Sequence, residues 1–363
     1  MSGVFLVACA LSIGAFALRS TRTGDQFDFL RWEVATLPNK WLYALGGPLR
    51  GDAPVDEAIG RYFALADRNG DAARELENRV EAAIEGRVDA VLREAGIDWP
   101  LGAFGVWPPV DAELASSPRI LVVSPRDRIE RIETDTLRPG LTTAEAETLE
   151  RQTEAQRGDR SALVVGTGGV STYPAVVSNN DSYEDTVATA AHEWTHHYLS
   201  IYPLGRAYFG SDDARIINET VADLVGDEVA RLVLERWPAP AGPSPQPLPG
   251  ATPSIDFDAT MRALRMEVDR LLAAGRIGDA ERRMEEVRQE LAAGGIRVRR
   301  ITQAYFAWYG AYAARPDSVD PLGLQLRELR ERVGSLRAFI ALARDATSRD
   351  DVARLAASSM RMP

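Results

Sequence analysis

Thiols, imidazoles and ammonium groups are nearly missing from this 363-residue chain, which has one cysteine, Cys9, three histidines and one lysine, Lys40. A lone cysteine excludes an intramolecular disulfide framework, a thiolate zinc knuckle and an iron–sulfur site. Basic charge is scarce relative to acid: 53 acidic against 42 basic residues give a net charge of −11. That balance argues against a nucleic-acid partner, which would need a basic surface. All but one of the basic residues are arginine, a usage that fits a GC-rich genome better than selection for bidentate anion binding. Low hydrophobicity is not among the shortages. At 45% hydrophobic and 26% charged, the chain can bury a sizeable core and is not globally disordered.

The first 18 residues contain no charge, and Val4 to Leu18 is apolar apart from Ser12 and Gly14, before Arg19 and Arg22 end the run. About 18 apolar residues reach the lower limit for a membrane-spanning helix. No charged segment precedes the run, as a cleavable signal peptide would require. The expectation is a single-pass anchor over residues 1–18, placing the chain in a bacterial inner membrane. The side on which the remainder lies stays open, because the flanking arginines favour a cytoplasmic C-terminal flank only if no basic residues lie upstream.

Beyond the anchor the pattern predicts an α+β fold, mostly helical, with a small mixed sheet. Residues 25–96 read as a helical segment: Phe27, Leu30, Val34 and Leu37 recur at helical spacing, and Asp71 to Ala95 forms a long amphipathic helix. Residues 100–237 carry the strand signals, at Ile120–Val123, Arg128–Thr134, Ala162–Gly166 and Tyr173–Ser178. Thr142 or Thr143 caps a polar helix running to Gln156. Gly166-Thr167-Gly168-Gly169 between the last two strands predicts a hairpin. Two strong helices follow, Asp185–Ser200 and Asp212–Trp237. A proline-rich loop spans 238–254, and residues 255–363 form a C-terminal helical segment with helices over Ile255–Ala273, Ile277–Ala293, Val298–Ala314 and Ser335–Ala346.

All three histidines fall in Ala191-His192-Glu193-Trp194-Thr195-His196-His197. On a helix, His192 and His196 project from one face about a turn apart. Two neutral imidazoles so placed can chelate one Zn²⁺. Glu193 can then reach a water on that metal rather than the metal itself, which is the His-Glu-x-x-His pattern of zinc hydrolases. In the next helix comes Asn218-Glu219-Thr220-Val221-Ala222-Asp223. Glu219 can supply a third ligand, leaving a fourth position open, and Asp223, one turn on, can accept the free ring N–H of a zinc histidine. His197, rotated about 100° from His196, packs rather than acts.

The two motifs together resemble those of the gluzincin metallopeptidases, the thermolysin-like enzymes and zinc aminopeptidases. The resemblance covers Leu163 to Val229. It implies that His192, His196 and Glu219 bind zinc, that Glu193 is the general base, and that Asp223 orients a ligand. The sheet would then pack on the two zinc helices. The strand before the first of them, Leu163 to Gly168, would bind extended peptide, with Gly166, Gly168 and Gly169 admitting the substrate backbone unless these glycines serve only a hairpin turn. The implied activity is zinc-dependent hydrolysis of a peptide or protein substrate by a zinc-bound water activated by Glu193. The alternative is a membrane-tethered binding or scaffold protein whose zinc is structural.

Two features depart from the family pattern. No histidine is left to stabilise a tetrahedral intermediate, so that task falls to Tyr or Arg. The helix around Tyr305 and Tyr309 offers candidates, although Tyr305, Trp308, Tyr309 and Tyr312 also share the spacing of a core stripe. The Gly-x-Met-Glu-Asn strand by which many aminopeptidases hold a free amine is missing, which leaves endo- or aminopeptidase action open.

Overall fold

Ser182 and Ser211 each end an extended segment with a hydroxyl that accepts a backbone N–H three residues on, and each starts one of the two helices that organise the molecule. The structure, a computed structural model, describes residues 25–27, 32, 54–97, 105–240, 255–315 and 318–359. The expected anchor over 1–18, nearly all of the helix expected between Phe27 and Leu37, and most of the 238–254 loop lie outside the described residues. Among the described residues no helix is long and apolar enough to cross a membrane.

In chain order the elements are α1 (Val55–Phe63), α2 (Asp71–Glu94), β1 (Ala112–Ala115), β2 (Arg119–Pro125), β3 (Glu133–Leu137), α3 (Thr143–Gln156), β4 (Arg160–Gly166), β5 (Gly169–Val170) and β6 (Ala175–Ser178). These are followed by α4 (Tyr183–Leu199), α5 (Pro203–Arg206), α6 (Asp212–Arg236), α7 (Phe257–Ala273), α8 (Ile277–Ala293), α9 (Gln303–Tyr309), α10 (Pro321–Arg332), α11 (Leu336–Ala343) and α12 (Arg349–Ser359). The α+β class is as expected, but the single mixed sheet is two. One is antiparallel, in the order β3-β2-β4. The other is mixed, in the order β1-β6-β5, with β1 parallel and β5 antiparallel to β6.

This division overturns the hairpin expected across Gly166–Gly169. Strand β4 pairs with β2, and β6 lies between β1 and β5. The reason is burial on both sides. β2 and β6 are apolar on both faces, and each becomes the middle strand of its own sheet. The glycine-rich segment is the crossing between the sheets.

The antiparallel sheet is sandwiched between helices by simple alternation. Ile120, Val122, Leu163 and Val165 face a core built by α7, α8 and α9, whereas Leu121, Val123, Ala162 and Val164 face α3. The largest core gathers α1, α2, α4, α6 and α10 to α12 around the mixed sheet. There Trp194, 1% exposed, fills the space beneath α4 and donates its indole N–H to the Pro108 carbonyl at 2.7 Å.

Other boundaries moved for identifiable reasons. Arg128–Thr134 is not a strand. The Ser124 hydroxyl donates to the Arg128 carbonyl and accepts from the Glu130 N–H, folding a turn that delays β3 until Glu133. Thr142, not Thr143, caps α3, in a reciprocal capping box with Glu145. The helix expected over Val298–Ala314 shrinks to Gln303–Tyr309. Arg299 and Arg300 are drawn in extended form onto Glu150 and the β4 backbone, and Thr302 then caps the helix. Helices α10 and α12 were not expected, although Asp320 before Pro321 is a cap-and-start signal that marks α10.

Candidate metal centre

Helices α4 and α6 cross closely enough to bring both motifs together, and Gly226 permits that approach. A Cβ at this position would lie 2.7 Å from the Ala188 carbonyl oxygen and 3.2 Å from the Cβ of His192. At the crossing, the Nε2 atoms of His192 and His196 are 3.0 Å apart, and each lies 3.5 Å from Oε2 of Glu219. Ligands at about 2.0–2.1 Å from a tetrahedral ion lie about 3.3 Å from one another, so these three atoms have the spacing of one coordination sphere. The three side chains form a group that could hold a metal ion.

The atoms turned away from the centre are all engaged. His192 donates its Nδ1–H to Asp223 at 3.0 Å, and His196 donates Nδ1–H to the Asn218 side-chain carbonyl at 2.7 Å. Both Nε2 lone pairs are thereby aimed inward. The Tyr208 hydroxyl donates to Oε1 of Glu219, leaving Oε2 for the centre. Asp223 is where the sequence placed it. Asn218 and Tyr208 were missed. Asn218 was legible only as the first residue of the Asn-Glu-x-x-x-Asp motif, since adjacency to Glu219 turns it about 100° around the helix. Tyr208 comes from the turn after α5 and carried no motif.

The electrostatics suit a cation. Burial alone would raise the Glu219 carboxyl, but His196 and His192 hold it well below the usual range. Burial alone would lower His192, but Asp223 and Glu219 raise it well above an ordinary histidine. Because coordinating histidines must be neutral, an ion bound by these groups would displace any protons they hold.

Glu193 stands apart from the triad. It is 5% exposed, and among the described residues its carboxylate makes no hydrogen bond. Burial raises its pKa, while His192 and His196 pull it down. Strand β5, paired on one side only among the described residues, runs directly against it: a Cβ on Gly169 would lie 2.5 Å from Oε1 of Glu193. Gly166 instead lies against the Arg119 guanidinium and Gly168 against Thr189. The strand expected at the site over Leu163–Gly168 is thus replaced there by Gly169–Val170, because β4 ends at Gly166.

His197 does not face the triad. Its Nε2–H donates to the Thr172 carbonyl at 2.7 Å, its ring packs edge-on against Tyr173, and burial pushes its pKa down to about 4. A neutral, buried donor, it ties the loop after β5 to α4.

Tyr305 and Tyr309 lie with ring centroids 4.5 Å apart in the core made with α7 and α8. Further along this segment, the Tyr312 hydroxyl is held far above its ordinary pKa by burial and by the charges of Glu219, Tyr208, Asp223 and Glu193. Its place is set from α6: the Thr220 hydroxyl, next to Glu219, accepts the Ala313 N–H at 3.2 Å.

No protein-family model, curated protein or solved structure matches the chain.

Proposed function

We propose that the chain is a zinc-dependent peptidase of gluzincin type, with His192, His196 and Glu219 holding the metal. The observation that carries this reading is Glu193: a carboxylate that makes no hydrogen bond among the described residues, beside a ligand triad and against an edge strand. A structural zinc site has no use for such a group, whereas a general base needs an unengaged carboxylate of raised pKa beside the metal. Zinc in this donor set supplies an acidified water and polarises a carbonyl. Glu193 takes the proton from water and returns it to the leaving amine. Strand β5 offers its free edge to an extended peptide, and Tyr312 stands ready to donate to the carbonyl oxygen as charge develops there.

The test is turnover by the full-length, zinc-loaded chain on a mixed peptide library, read by mass spectrometry. Cleavage that a chelator abolishes and one equivalent of zinc restores is the expected result. A fully loaded chain that cleaves nothing would favour a structural metal.

A second expectation follows from the contact between β5 and Glu193. In Gly169→Ala the added methyl must push the carboxylate aside, and displacements near 1 Å cost on the order of 10²-fold in rate. The variant should keep stoichiometric zinc, which metal analysis checks, while its kcat falls at least about tenfold. Unchanged kcat would show that Glu193 need not sit where it does.

A further inference from the structure

A threonine inside a helix ordinarily spends its hydroxyl on the carbonyl one turn back. Thr186 and Thr195 of α4 do so, donating to the Ser182 and Ala191 carbonyls at 2.7 and 2.8 Å, and Thr220 of α6 donates to Ile216 at 2.6 Å. Thr189, the remaining threonine of these two helices, departs from the pattern. It is half-buried, and its hydroxyl makes no hydrogen bond among the described residues. Its side chain is turned instead towards the glycine segment. A Cβ on Gly168 would lie 3.4 Å from Oγ1 of Thr189, and a Cβ on Gly169 would lie 2.8 Å from its Cγ2. The same Gly169 position is 2.5 Å from Oε1 of Glu193, which follows Thr189 by one turn on the same face of α4. An unspent hydroxyl therefore stands between the helix and the edge strand, beside the carboxylate assigned as general base.

We propose that Thr189 is a specificity-determining residue whose hydroxyl hydrogen-bonds a short, uncharged polar side chain of the peptide, one that carries a hydroxyl or a carboxamide. A hydroxyl donates and accepts, so it matches either group. An apolar side chain in the same place would strip water from the hydroxyl and return no hydrogen bond. A carboxylate there would meet the charge of Glu193 one turn away. The close approach of Gly168 and Gly169 limits the depth beside Thr189, which favours a short side chain. The inference rests on the peptidase reading for its setting, but its test reads affinity rather than turnover.

The experiment uses the full-length, zinc-loaded chain and matched peptide hydroxamates, whose hydroxamate anchors on the metal and fixes the register. They differ only in the residue beside the hydroxamate, which is threonine or its isostere valine, or asparagine or its near-isostere leucine. Two series place that residue on either side of the chelating group. In one series, calorimetry should show Thr189→Val shifting both polar-to-apolar affinity ratios towards the apolar member by at least about threefold. Thr189→Ser should keep the wild-type ratios, and metal analysis should show unchanged zinc in both variants. Smaller shifts in both series, or no binding of any hydroxamate to the zinc-loaded chain, would overturn the proposal. A chain that binds the hydroxamates but cleaves no peptide would count against the peptidase reading alone, because the affinity ratios still decide the role of Thr189.

Discussion

Glu193→Gln should retain one zinc per chain and lose about 10²–10⁴-fold in kcat. Glutamine has nearly the volume of glutamate, so it fits against Gly169 and leaves the α4–α6 crossing intact. The triad is untouched, because Glu193 contributes no atom to it. What disappears is the acceptor for a proton, in a pocket where burial holds the carboxyl above its ordinary range. KM should move little, since the change removes no group proposed to hold substrate. Metal analysis beside steady-state kinetics checks both halves. Turnover within threefold of wild type would remove Glu193 from the mechanism, and lost zinc would mean that it supports the metal instead.

Glu150→Ala should cost the fold about 3 kcal/mol. Glu150 is fully buried between α3 and β4. It accepts from the Val164 N–H at 2.6 Å and from both Arg299 and Arg300, which themselves bond β4 carbonyls. The usual range for breaking a buried pair is about 3–5 kcal/mol. The low end applies because both arginines are about a third exposed and can turn to water once released. Burial alone would raise the Glu150 carboxyl, but Arg299, the Val164 N–H and Arg300 hold it below its ordinary value. A lowered folded pKa means that this stabilisation is present above the unfolded carboxyl value, about 4.3. It is lost as pH falls through the folded one. Denaturant unfolding of wild type and variant at neutral and acidic pH should show the gap closing in acid. A variant as stable as wild type at neutral pH would remove Glu150 from this role. The consequence reaches the metal centre, because Arg299 and Arg300 set the start of α9, and α9 leads to Trp308 and Tyr312.

The two helices of the candidate metal centre were the most legible part of the sequence. Ser182 and Ser211, the apolar faces behind them and the histidine spacing are local signals, and the structure agrees with the expected helix ends to within two residues. Partners within a helix turn of the motifs were readable for the same reason, as Asp223 was and as Asn218 could have been. What local pattern could not supply was strand partnership. β4 and β6 look like neighbours in sequence, yet β2 and β6 are the strands that take two partners each, and the chain crosses between sheets to give them. Tyr208 was obscured because it lies in a turn with no motif, and Tyr312 because aromatic residues at helical spacing signal a core equally well. The Thr220 bond to Ala313 ties the Tyr312 segment to α6, whereas Tyr305 and Tyr309 pack with α7 and α8. The Arg128–Thr134 run alternates like a solvated strand until Ser124 folds it into a turn.

The central claim is that three side chains from two helices hold one metal ion. Its most direct test is metal content after chelator stripping and dialysis against limiting zinc, measured on the full-length chain. The wild type should return to one zinc per chain, while Glu219→Ala and the double variant His192→Ala/His196→Ala should bind substoichiometrically with the fold intact by circular dichroism. One tightly held zinc per chain in the folded double variant would contradict the account.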